Sequence, residues 1–150
     1  MKHLLITFAA ALALTACGNA TEAGSSVKNA ATDKASAMMD TKTKAVLVYA
    51  DWCGSCKVLD PAVKKAQAMG PMPGVEFVVL DYTDKDDANF YAQAEAAGVE
   101  KAIRDYLDGT VKTGQLLLVD LDDEKVIKTV TKADAAPAIV AKIKDAVSAS

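Results

Sequence analysis

The chain has 150 residues, 51% of them in the hydrophobic class and 25% charged, with a formal charge of -3. That length suits one globular domain with appendages, and much of the apolar count is alanine, so less large apolar surface is available to a core than the percentage suggests. Lys and Arg form no clustered face, so the basic footprint that nucleic-acid binding requires is missing and no nucleic-acid partner is expected.

Met1-Lys2-His3 gives a positive start, Leu4 to Leu14 is an apolar run, and small residues follow. That pattern is a secretory signal, and the run is far shorter than the roughly 20 residues of a membrane-spanning helix. Leu14-Thr15-Ala16-Cys17 resembles the bacterial lipobox. The resemblance implies a signal peptide over residues 1–16, cleavage before Cys17 and a diacylglycerol thioether on the Cys17 sulfur. An ordinary signal peptide that happens to contain a cysteine is the other reading. Residues 17–31 are small and polar and read as the lipidated cysteine with a flexible tether, which leaves residues 32–150 for the folded domain. Gly18 after the cysteine is not the aspartate associated with inner-membrane retention in some bacteria, a hint toward the outer membrane.

Thr32 to Asp40 could form a helix, with Ala35, Met38 and Met39 on one side. Ala45 to Ala50 is an apolar, β-rich run that predicts a buried strand. Gly54 to Met69 predicts a helix with Val58, Leu59, Ala62, Val63 and Ala66 on its apolar face, kinked rather than ended by Pro61. Gly70-Pro71-Met72-Pro73-Gly74 breaks the chain, and Val75 to Leu80 is a second strand. Asp84 to Ala97 predicts a helix capped by Thr83 or Asp84 and stopped by Gly98; Val99 to Leu107 adds a short one. Gln115 to Val119 is the third strand, Leu121 to Glu124 a polar turn, and Lys125 to Thr131 a hairpin partner that alternates Val126, Lys128 and Val130 against Ile127 and Thr129. A last helix begins near Asp134 with Ile139, Val140, Ile143 and Val147 on one face. The order β-α-β-α-α-β-β-α predicts an α/β fold, a mixed sheet with helices on both faces.

Ala50-Asp51-Trp52-Cys53-Gly54-Ser55-Cys56-Lys57 carries the chemistry. The strand-to-helix junction puts Cys53 at the start of a helix and Cys56 one turn inside it. Unpaired N–H groups and the helix dipole favour negative charge there, so Cys53 is expected as the thiolate nucleophile. Cys56 stands close enough to attack a mixed disulfide and release the partner. Lys57 could add positive potential, and Trp52 is expected to pack beside the site or anchor in the core. A purely structural clip explains the pair poorly, since closing so small a loop removes little chain entropy.

The WCxxC cluster followed by Pro61 resembles the thioredoxin superfamily over roughly Ala45 to Val147. The resemblance implies a thioredoxin-like fold that performs dithiol–disulfide exchange, with Cys53 attacking and Cys56 resolving, and with Trp52, Gly54, Ser55 and Lys57 around them. It also locates three departures. The family carries a cis-proline facing the dithiol, and here Thr113-Gly114 occupies that stretch, with Gly114 at the proline position. The family's buried aspartate is matched by Leu47, and Val99 to Thr110 is longer than in a minimal relative.

The residues also leave a metal site open. Two thiolates are half of a closed zinc site, and the only histidine, His3, lies in the signal segment. Shared zinc or iron–sulfur between two chains, or linear two-sulfur copper(I), remain chemical options, as does a client-binding module without turnover. The acidic runs Asp84–Asn89 and Asp120–Lys125 lack the calcium-loop pattern and read as a helix cap and a hairpin turn. The expectation is an exported thiol–disulfide oxidoreductase that needs no cofactor, because the dithiol itself carries the electrons. Its expected partners are thiols or disulfides of cell-envelope proteins, with a membrane electron donor as a further candidate, on the periplasmic side of a membrane.

Overall fold

The computed structural model of the protein describes residues 41–150. The expected signal segment, Cys17, the expected tether and the helix expected at Thr32 to Asp40 lie outside the described residues. Within them the elements are β1 (Thr43–Tyr49), α1 (Gly54–Ala68), β2 (Val75–Asp81), α2 (Asp87–Ala96), α3 (Glu100–Leu107), β3 (Gln115–Asp120), β4 (Lys125–Thr131) and α4 (Ala136–Ala149), in the predicted order. The sheet runs β2-β1-β3-β4, with β1 parallel to β2 and antiparallel to β3, and β3 antiparallel to β4.

β1 is central and sealed on both faces, which is why it reads as an unbroken apolar run instead of alternating. Ala45 and Leu47 pack with Leu59 and Val63 of α1 and Ile139 and Ile143 of α4. Val46 and Val48 pack with Phe90 of α2 and Ile103 and Leu107 of α3. Burying one such large side chain contributes roughly 1.5–3 kcal/mol, so the two helical layers hold the sheet between two apolar slabs. Leu47, at the family's aspartate position, is one of these hydrocarbon contacts.

Four expectations change in detail. Strict alternation in β4 fails: Leu118 pairs with Lys128 but Val119 pairs with Val126, leaving Ile127 as the extra residue of a bulge. Val130 and Ile127 therefore face the α1/α4 side, while Val126 faces the α2/α3 side. α1 passes through Pro61, but Val58 is 55% exposed, so the apolar face is carried by Cys56, Leu59, Val63 and Ala66. α2 starts later than predicted, because Asp84 Oδ1 accepts the Asp86 N–H in a turn of its own and Lys85 takes φ 59°. Asp86 is the cap, accepting from Ala88 N and Asn89 N, and Gly98 at φ +66° ends the helix region as predicted. α4 starts at Ala136, with Pro137 in its first turn; Ala146 takes the buried position and Val147 is half-buried.

Two acidic residues are spent on turns. Asp120, nearly buried, accepts the N–H groups of Asp122 and Asp123 and so closes the β3–β4 hairpin. These bonds, that of Asp123 first, hold its carboxyl below the usual value against the opposing effect of desolvation. Asp134 is lowered by Lys142 first and by the Thr131 N–H next, tying the β4–α4 connection to α4. A carboxyl depressed in the fold stabilises it fully above the ordinary value of 3.8 and loses that contribution as the pH falls through the lower folded-state value. Thermal melts from about pH 5 to pH 2 should therefore show a falling midpoint, and a D120N/D134N double variant should show a smaller fall over the same window. Equal slopes in both proteins would exclude these two groups as a source of acid sensitivity.

Candidate active site

β1 ends at Tyr49, and the chain turns through Ala50-Asp51-Trp52 with the Cys53 N–H on the Ala50 carbonyl at 3.1 Å. Cys53 is the N-cap of α1, extended at φ -81° and ψ 109°. Its Sγ stands where the oxygen of a serine or aspartate cap usually stands, accepting the Cys56 N–H at 3.1 Å. Cys53 and Cys56 are joined as a disulfide with their Cα atoms 5.2 Å apart. Cys56 is fully buried, while Cys53 keeps 7% exposure, so Cys53 is the more accessible of the two. At a helix N-terminus, with an N–H already directed at its sulfur, Cys53 is the cysteine whose negative charge the fold stabilises.

The back of the site is a backbone carbonyl. Val48 O accepts the Gly114 N–H at 2.8 Å and faces Cys56 Sγ at 3.7 Å. Pairing of β1 with β3, Val48 opposite Gln115, puts Gly114 at this point. Gly114 has φ +83°, a conformation that glycine adopts without penalty. Its α-carbon lies over the active-site turn: a Cβ there would come 2.7 Å from Ser55 Cβ and 3.2 Å from Cys53 Sγ. Among the described residues there is no cis peptide bond. Thr113 is half-buried and comes to the site as the residue preceding Gly114. Gly54 opens the helix in free space, and Lys57 is exposed.

Trp52 neither anchors in the core nor is packed away, being 48% exposed. Instead its Nε1–H donates to the Thr83 carbonyl at 3.1 Å, its ring meets Tyr82 edge-on, and Lys85 Nζ lies 5.0 Å from the ring centre. Thr83 Oγ1 also accepts the Asp51 N–H at 3.0 Å, so the β2–α2 loop holds the active-site turn from one side. Tyr49 packs against Ala50 and the two cysteines and donates its hydroxyl to Asp51 at 3.0 Å; that bond, first, keeps its proton above the ordinary range. Thr83, Tyr49 and the Val48 carbonyl escaped the sequence reading. Two act through backbone atoms or across 30 residues, and no motif marks them.

Among the described residues no group of three or more His, Cys, Asp or Glu side chains is placed to hold a metal ion. The acidic run at Asp84 serves the turn and cap already described, with Asn89 Nδ2 donating to Asp84 Oδ2 at 2.6 Å. That at Asp120 closes the hairpin.

The family model for thioredoxin matches residues 25–99, half of the 150-residue chain. Among solved structures, Trxlp from Edwardsiella tarda is 16% identical, with 78% of this chain and 94% of that one covered and a TM-score of 0.44. StoA from Bacillus subtilis is 11% identical, with 70% of this chain and 84% of that one covered and a TM-score of 0.46. No curated protein matches. The chain belongs to the thioredoxin family, with a mixed four-stranded sheet, helices on both faces and a CxxC pair at disulfide distance.

Proposed function

We propose that this protein is a thiol–disulfide oxidoreductase of the bacterial cell envelope, held to a membrane by lipid on Cys17 and acting on protein thiols and disulfides. The observation that carries the chemistry is the division of labour in the CxxC pair: Cys53 is the helix cap and the less buried of the two at 7% exposure, and Cys56 is sealed behind it.

In the reducing direction the Cys53 thiolate attacks one sulfur of a client disulfide. The Cys53–client bond forms, the client S–S bond breaks, and the displaced client sulfur leaves as a thiolate. In the dithiol, the Val48 carbonyl, 3.7 Å from Cys56 Sγ, is placed to accept the Cys56 S–H, which favours its thiol form. Leu47 puts hydrocarbon where relatives keep a carboxylate, so the displaced client thiolate is the nearest base for the Cys56 proton. The Cys56 thiolate then attacks Cys53 Sγ, forming the Cys53–Cys56 disulfide and expelling the second client sulfur, which takes a proton from water. Two electrons pass from the pair to the client; the oxidising direction is the reverse, and the redox state of the client pool selects between them. Each client leaves the pair in its other redox state, so turnover requires a second thiol or disulfide partner to reset it, the role of the expected membrane electron donor.

The envelope assignment rests on the signal pattern of residues 1–16 and on Leu14-Thr15-Ala16-Cys17. Gly18 favours the outer membrane, and the small, polar composition of residues 17–31 suits a tether to the lipid. Among the described residues no helix is long and apolar enough to cross a membrane; the proposed anchor is the lipid on Cys17.

Two expectations test this reading. In cells, Cys56→Ser should accumulate mixed disulfides with envelope proteins on non-reducing gels and Cys53→Ser should accumulate none, while insulin reduction by either variant should fall to the uncatalysed rate. A dithiol that never cycles, or stoichiometric metal that survives dialysis of the reduced protein, would overturn the enzymatic reading in favour of a metal-binding one. Mass spectrometry of the mature protein should find an N-terminal Cys17 carrying diacylglycerol, and Cys17→Ser should leave the membrane fraction. An unmodified Cys17 or cleavage at another position would remove the anchor from the proposal.

A further inference from the structure

We propose that Gly114 is a positioning residue that sets the redox poise of the Cys53–Cys56 pair, because its bare α-carbon leaves the space in which the disulfide closes. This rests on the dithiol cycling proposed above.

The space is narrow and its walls are fixed. A Cβ at position 114 would stand 2.7 Å from Ser55 Cβ, a side-chain atom fixed directly to the α1 backbone rather than a flexible chain end, and 3.2 Å from Cys53 Sγ. The segment carrying Gly114 cannot simply retreat. Its N–H is bonded to Val48 O at 2.8 Å, and the next residue, Gln115, is held on both sides. Gln115 Nε2 donates to Lys112 O at 3.4 Å, and Tyr106 of α3 donates its hydroxyl to Gln115 Oε1 at 3.0 Å while resting 3.0 Å from Thr129 Oγ1 of β4. A methyl group at 114 therefore presses on the Cys53 sulfur. In the disulfide that sulfur is tied to the buried Cys56 and has nowhere to go, whereas in the dithiol it is free to rotate about χ1. The penalty falls on the oxidised state, so side chains at 114 make the disulfide easier to reduce.

The experiment equilibrates the purified full chain with mixtures of reduced and oxidised glutathione and follows the dithiol fraction by thiol alkylation. In this exchange the protein disulfide takes two electrons and two protons from two glutathiones, whose sulfurs join as oxidised glutathione. Gly114→Ala should shift the equilibrium toward the dithiol about tenfold, which is a potential about 30 mV more oxidising. Gly109→Ala is the control: Gly109 has φ +77°, and nothing lies within 4 Å of a Cβ built on it. It imposes the same backbone strain away from the cysteines, so its melting temperature should fall with no change in the equilibrium. If Gly114→Ala does not fold, Ser55→Gly/Gly114→Ala removes the 2.7 Å clash and keeps the sulfur contact; compared with Ser55→Gly alone it should show the same shift. Equal equilibria for wild type and Gly114→Ala, or for Ser55→Gly and the double variant, would overturn the inference, as would an equal shift in Gly109→Ala. Wild type that fails to cycle at all would instead defeat the function on which the inference stands.

Discussion

The carbonyl of Val48 is the point on which the site is built. β1 is closed on both faces by hydrocarbon and paired on both edges, so its last buried peptide has no freedom to turn. That peptide offers one oxygen to two groups, the N–H of Gly114 and the sulfur of Cys56. A one-residue slip between β1 and β3 would turn every side chain of the slipped strand to the wrong face of a sheet that is apolar on both sides. The packing of Leu116 and Leu118 with α1 and α4, and of Leu117 and Val119 with α2 and α3, thus fixes which backbone N–H reaches the dithiol. Core packing, not local sequence, delivers Gly114 to the cysteines.

The electrostatics follow from the same placement. A sulfur at the N-cap meets unpaired N–H groups and the positive end of the helix, and it has an N–H bond in place of the oxygen-to-amide bond of an ordinary cap. The buried partner meets a carbonyl, which stabilises a proton on sulfur and not a charge. Opposite environments three residues apart suit the two thiols to the proposed attacking and resolving roles, with Leu47 rather than a carboxylate behind them. The carboxylates near the turn are occupied on its outer side: Asp51 with Tyr49, Asp81 with Thr83. Leu47 therefore removes a proton acceptor from the interior and adds a core contact in its place.

Much of this was legible in the sequence, and the boundary between what was and was not is physical. The order of elements, the both-sided burial of β1 and the dithiol at a helix start all follow from short-range pattern: an unbroken apolar run, a helical period, two cysteines at a junction. The bulge at Ile127 was not legible, because Val126, Lys128 and Val130 alternate perfectly on paper and only pairing with β3 shows that one residue is extra. The cap of α2 was misplaced by two residues because Asp84 and Asp86 are equally good caps by type, and the turn that Asp84 makes first decides between them. Trp52 was misjudged for a similar reason. A tryptophan beside cysteines suggests shelter, but its N–H found the carbonyl of Thr83 across the β2–α2 loop, and the ring stayed half in solvent.

Gly114 shows how a departure from a family can be coherent rather than a loss. Proline carries no N–H and fixes φ near −65°, so at position 114 it would remove the bond to Val48 O and could not adopt the +83° that the turn uses. Restoring the family's residue would demand a different path for the whole segment from Lys112 to Gln115, which is itself tied to Tyr106 and Thr129. The glycine, its N–H bond and the supporting network form one unit. That unit sets backbone, not a proline ring, against the Cys53 sulfur. Any residue with a Cβ at 114 would crowd Ser55 and the Cys53 sulfur.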